Sequence, residues 1–264
     1  MTEVKALETD REKKKKENQR YFVVKANDLI RKTRYNLTTQ QQKIVLFAIS
    51  KIKKDDPPNT KYEISIEEIC DACGITMEGG YYYKAIKEDL QKLTTRLWVK
   101  MPDNSEATVA WISDAEIIPL SGQVYIKFHE KMAPYLFELK ERYTMYHLED
   151  VLVFKSRHSI RLYELLRSYT TNKALEEYEE RKATFTIDEI RELLAIDKYP
   201  RWADLDRFVI RKAVEEINLC NDEIHIEYKT EKGKGRNIEK IIFSITHARY
   251  KQIMTARKEK RERL

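Results

Sequence analysis

The feature that most constrains this chain is an internal repeat. Tyr62 to Ile69 aligns with Ala183 to Ile190 at a constant offset of 121 residues, so that Ile64 falls on Phe185, Ile66 on Ile187 and Ile69 on Ile190. Ser65 and Thr186 are each followed three positions later by a glutamate, Glu68 or Glu189. A hydroxyl and a carboxylate at that spacing form a capping box, which marks a helix start. Each copy therefore reads as a short strand running into a short helix.

The later copy continues clearly. Ile196 to Pro200 reads as a turn, with Pro200 tolerated just inside the next helix. That helix is expected from about Arg201 to Asn218, with Leu205, Val209, Ala213 and Ile217 facing a core. The opposite stripe carries Asp204, Arg207 and Arg211, with Arg201 one turn earlier. Two strands follow, Glu223 to Thr230 and Asn237 to Thr246, with Ile224, Ile226, Tyr228, Ile241, Phe243 and Ile245 inward. Their link, Glu231 to Arg236, is a glycine-containing hairpin tip with three cations, Lys232, Lys234 and Arg236.

In the earlier copy a turn with Gly79-Gly80 precedes a helix from about Tyr81 to Thr95, with Ile86, Leu90 and Leu93 inward. Tyr81, Lys84, Lys87 and Gln91 lie on its outer side. Allowing three inserted residues in the later copy, the inward residues fall on Ile210, Val214 and Ile217. Strands Leu97 to Met101 and Thr108 to Ile112, joined through Pro102-Asp103-Asn104, complete the ribbon, whose tip is acidic or neutral. Chance seldom repeats a cap, a turn and an inward stripe in one order. The fold class is therefore α+β: two tandem winged helix-turn-helix domains with duplicated topology. Such a unit sets its second helix in the DNA major groove and its ribbon beside the backbone, so double-stranded DNA is the expected partner. Arginines on the helix suit base edges, whereas the wing lysines suit phosphates.

The rest of the chain fits around these units. Residues 1–21 read as a disordered basic arm centred on Lys13 to Lys16, 22–145 as the first domain, 146–247 as the second and principal DNA-binding domain, and 248–264 as a basic helical tail. Thr39 to Lys53, capped by Thr38 and Gln41, is apolar on most sides and should be the buried spine of the first domain. Gln123 to Phe128 alternates as a strand, and His129 to Leu139 reads as an amphipathic helix. Ser156 to Tyr169, capped by Ser156, opens the second domain with Ile160, Tyr163, Leu165 and Leu166 inward. The formal charge of +6 resides in the ends, because residues 21–249 balance at 37 basic against 37 acidic. A polyanion must be held by local patches or tails.

Three cysteines do not make a disulfide framework, and no segment approaches 18 consecutive apolar residues, so the reading is cytoplasmic, neither membrane-spanning nor secreted. Cys70-x-x-Cys73 lacks a second ligand pair and shares a helical face with Ile66 and Ile69, which suits core packing. His158 and Arg161 have the His-x-x-Arg spacing of tyrosine recombinases, but on an early helix of a winged unit they read as exposed scaffold. Lys232 to Arg236 lacks the phosphate-loop pattern. No catalytic residue, metal ligand or cofactor site is expected.

Leu37 to Ile44, Ser156 to Leu166 and Trp202 to Asn218 together resemble the replication initiators of iteron-containing plasmids, over about residues 22 to 246. The resemblance implies recognition of repeated origin sites, nearby DNA melting with the host's own initiator, and recruitment of the replicative helicase. It also implies a dimer, paired through the first domain, that represses the initiator's promoter while monomers bind the repeats. Asp206 stands where that family would place a basic residue, which removes a DNA contact at that position. Two other functions remain open on the residues alone: a winged-helix transcriptional repressor, and a strand-transfer enzyme resting on His158 and Arg161.

Overall fold

The computed structural model describes residues 21–100, 105–118, 121–233, 235 and 237–250. The chain divides into two compact units. One comprises the chain up to Leu29 together with Leu37–Val153; the other comprises Ile30–Asn36 and the chain from Phe154 onward.

In the first unit, strand β1 (Phe22–Ala26) leads into helix α1 (Asn27–Lys32), which carries the chain from one unit to the other. Helix α2 (Thr39–Ser50) is the expected spine, and every residue from Gln41 to Ser50 is buried. Its capping box is complete, and the same Gln41 side chain that accepts from Thr38 N–H donates to Asp89 at 2.8 Å. Strand β2 (Lys61–Ser65), helix α3 (Ile66–Cys73) and helix α4 (Tyr81–Leu93) follow, with a second complete capping box at Ser65 and Glu68. Gly80, at φ 73°, precedes α4 in a conformation that a side chain would strain.

The expected ribbon forms as β3 (Leu97–Lys100) and β4 (Glu106–Val109), with 102–104 outside the described residues. It is not the counterpart of the later wing. That counterpart is the next hairpin, β5 (Ile112–Ile118) and β6 (Gln123–Phe128), whose second strand pairs with β2 in the order β2-β6-β5. The β3–β4 hairpin is thus an insertion between α4 and the wing. The helix expected over 129–139 is shorter, a 3-10 turn at Glu130–Met132 and then α5 (Ala133–Leu136) with Pro134 in its first turn. Strand β7 (Tyr143–His147) returns to pair with β1, and α6 (Glu149–Leu152) closes the unit.

The second unit repeats the plan. Helix α7 (Arg157–Arg167) takes the place of α2, α8 (Asn172–Glu176) follows, and β8 (Arg181–Thr186) enters α9 (Ile187–Leu193) through the third complete capping box, at Thr186 and Glu189. The second helix, α10, is continuous through Trp202–Leu205, a π-helical turn Asp206–Ile210 and Arg211–Cys220. The wing is β9 (Ile224–Lys232) and β10 (Ile238–His247), and the sheet order β8-β10-β9 matches β2-β6-β5. The duplication therefore extends one helix further back than the matched sequence, to α2 and α7.

Helix α7 corrects the sequence reading. Every residue from Ser159 to Arg167 is buried, so Arg161 is not exposed scaffold. Its guanidinium donates to Tyr35 Oη at 2.6 Å and to the carbonyls of Ile30, Thr33 and Leu193 at 3.2–3.3 Å, with Glu164 at 3.6 Å. These contacts bind the crossing segment and the end of α9 to α7. Arg167 holds Glu223 through two nitrogens, at 3.1 and 2.9 Å, while Tyr163 donates to the same carboxylate. His158 is half-buried beside Arg157, and burial first, then that cation, push its pKa down to about 4.

Arg161→Met should destabilise the second unit by about 3–5 kcal/mol in urea unfolding, because it removes the cation from a buried cluster that includes the Glu164 carboxylate. His158 gives a pH signature of definite sign. Its folded value lies below the ordinary 6.5, so its contribution is complete above pH 6.5 and is lost as the pH falls toward 4. Urea melts between pH 7 and 4 should lose roughly 2–3 kcal/mol through this group, and His158→Asn should flatten that part of the profile.

Candidate nucleic-acid interface

The second helix of the second unit is built from a strict four-residue stripe. Leu205, Val209, Ala213 and Ile217 are all buried, as are their neighbours Asp206, Ile210 and Val214. In a straight α-helix each four-residue step drifts by about 40° around the axis. The wider turn at Asp206–Ile210 takes back part of that drift and keeps the stripe on the core. Arg211 N–H bonds to the Asp206 carbonyl across this turn, which brings residues five apart into register.

That register explains Asp206. It is 7% exposed, and its carboxylate accepts from the Arg211 guanidinium and from the Tyr228 hydroxyl of β9. Burial, then the Asp206 carboxylate, push the Tyr228 hydroxyl up to about 12. The acid therefore ties the helix to the wing strand and fixes one outward arginine. Further along, Asn218 exchanges two 2.8 Å hydrogen bonds with the backbone of Ile226, and Glu216 accepts from the amides of Lys155 and Ser156 at the start of α7. Three residues of the 202–218 motif thus serve the fold.

The expected site residues fall as follows. Arg207 and Arg211 are exposed on α10. Arg201 is exposed and pairs with the half-buried Asp204 at 3.1 Å. Arg207 pairs with no carboxylate among the described residues, and its guanidinium lies 5.3 Å from the Phe208 ring centroid. Lys232 is exposed at the end of β9, while Lys234 and Arg236 lie outside the described residues. Between them Gly235 has φ 106°, which a non-glycine residue would resist. Pro200, Arg201 and Trp202 border one open cleft together with Gly233, Asn237, Ile238 and Glu239. The start of the helix and the base of the wing therefore face the same side. The cleft is not purely basic, since Asp188 and Glu239 also line it.

In the first unit Tyr81, Lys84 and Lys87 are exposed on α4, with Tyr81 at 82%. Its true wing carries Asp114 and Glu116, paired with Lys61 at 3.4 and 3.7 Å, so among the described residues that ribbon presents acids where the later wing presents Lys232. Sequence reading missed Phe208 and Lys212, both exposed on α10. An aromatic among cations at positions outside the apolar stripe was the available signal. Cys73 packs its thiol toward the Gln40 carbonyl at 3.8 Å, and burial pushes it up to about 12. No group of metal-ligating side chains occurs among the described residues, nor does a helix long and apolar enough to cross a membrane.

Two winged helices of the same strand order define the class of protein. Comparison with known proteins places it within that class. Residues 22–167 match the family described as Initiator Replication protein, WH1, and residues 186–245 match Initiator Rep protein, WH2. A replication initiation protein of Escherichia coli is 24% identical over 239 residues, 88% of this chain and 72% of that protein. The PI protein of Escherichia coli is 27% identical over 148 residues, 51% of this chain and 46% of that one. A crystal structure of the Pi initiator protein in complex with iteron DNA superimposes with a TM-score of 0.70 at 20% identity, covering 87% of this chain and 98% of that one, and shows the shared fold. This chain belongs to the family of initiator replication (Rep) proteins.

Asp206→Ala should cost about 1–3 kcal/mol by stranding the Tyr228 hydroxyl. It should also loosen Arg211, whereas Asp206→Asn should retain more of the stability in thermal melts.

Proposed function

We propose that the chain reads origin repeats through α10 and the β9–β10 wing, as a sequence-specific initiator without catalytic machinery of its own. The observation that carries this reading is the side shared by the helix start and the wing base, with Arg207 exposed and directed away from a buried stripe. Family membership and the fold shared with an initiator held on iteron DNA support it. Arg207 and Arg211 address base edges, and Arg201 with Asp204 frames the entry of the helix. Lys232, Lys234 and Arg236 hold phosphates. Tyr81, Lys84 and Lys87 of the first unit give a second, weaker contact. A homodimer paired through the first unit represses the promoter, while monomers on the repeats open the origin with the host initiator and load the replicative helicase.

Arg161 is buried, with both terminal nitrogens donating to internal acceptors, so they are not presented to a scissile phosphate, and this disfavours strand transfer. An origin fragment that replicates when this gene is supplied in trans separates an initiator from a repressor. Anisotropy titrations on the protein's own origin repeats and on scrambled duplex test the reading. Arg207→Ala should cost about 1–3 kcal/mol on the repeats and much less on scrambled DNA. Lys232→Ala and Lys234→Ala should weaken both alike and flatten the salt slope by roughly one unit each. Equal losses on both duplexes for Arg207→Ala would count against base reading.

A further inference from the structure

One apolar group stands among the cations on the outer side of α10. Phe208 is 40% exposed, and its ring stacks on Tyr199 with centroids 5.2 Å apart and 24° between planes. Tyr199 sits in the turn before the helix at φ 63°, a left-handed conformation that is strained for a bulky residue. Arg191 holds that turn by donating to the carbonyls of Lys198 and Tyr199. The Arg207 guanidinium and the Lys212 ammonium lie 5.3 and 5.8 Å from the Phe208 centroid. The ring lies outside the buried stripe, to which its neighbours Leu205 and Val209 belong. Its position is nevertheless fixed, by an aromatic in a strained turn on one side and by two cations beside it.

A stacked ring in the second turn of a helix, flanked by cations that favour DNA, is complementary to the apolar feature of the major groove, the 5-methyl group of thymine. We propose that Phe208 is a specificity-determining residue that packs on a thymine methyl, with Tyr199 as the positioning residue behind it. The inference rests on the DNA-reading proposal above and names what one side chain reads.

The test uses the full chain and a duplex that it selects from a randomised pool. Each thymine of the selected site is replaced in turn by deoxyuridine, which removes the methyl and leaves the pairing. At one position wild-type affinity should fall about three- to tenfold. Phe208→Ala should bind thymine and deoxyuridine duplexes alike there, and Phe208→Leu, which keeps apolar bulk, should retain part of the preference. Tyr199→Ala should reduce the same ratio without abolishing binding. Indifference of the wild type at every position, or a full thymine preference in Phe208→Ala or Phe208→Leu, overturns the inference and marks the ring as a staple of the turn. Failure to select any preferred sequence overturns the DNA-reading proposal and this inference with it. Should Phe208→Ala fail to fold, the wild-type series and Phe208→Leu still decide.

Discussion

The second unit depends on a guanidinium removed from water. Arg161 is 2% exposed, and a charge so placed is tolerated because backbone carbonyls, a tyrosine hydroxyl and a carboxylate surround it. Two of its acceptors are the carbonyls of Ile30 and Thr33, far away in sequence, and a third is Leu193 at the end of α9. With that end fixed, the following turn has little freedom. Its far side is held by Arg191 on the Lys198 and Tyr199 carbonyls. The direction in which α10 leaves the turn is therefore set by two arginines bonded to backbone carbonyls, the buried Arg161 and the half-buried Arg191.

The cationic residues of this unit accordingly divide by task in a way that charge counting hides. Arg161 and Arg167 are internal ties. Arg211 is exposed yet held by Asp206, whereas Arg207 and Lys212 share only an aromatic ring among the contacts described. A tethered guanidinium loses less freedom on binding than a loose one.

Much of the fold was legible because it is decided locally. The three capping boxes, the apolar spine and the wing strands each follow from residues within a few positions of one another, and each lies where the spacing put it. What failed to show is decided at a distance. Nothing near residues 30–36 announces that they are held by α7. Arg161 was misread because buried charge and exposed charge look identical on a helix whose far side is also covered. The first wing was assigned to β3–β4 because an inserted hairpin directly follows α4, and only strand pairing with β2 reveals its true counterpart. Asp206 was judged only against the basic residue of the resembled family, and its ties to Arg211 and Tyr228 appear only once the π-helical turn and β9 are in place. The exposed part of the candidate site was legible as residues, but the cleft that Arg201 shares with the wing base at Gly233 was not.

The duplicated units have diverged in the segment that now distinguishes them. The earlier second helix is a plain α-helix, while the later one contains a widened turn at Asp206–Ile210. That turn works as a phase adjuster. Residues before and after it present themselves at an angular offset that no uniform helix supplies, and the offset is locked by a carboxylate underneath. A one-residue deletion inside it would leave the composition of the surface almost intact while rotating everything downstream relative to everything upstream. Which side chains share the outward face is to that extent written in helical pitch as well as in side-chain identity.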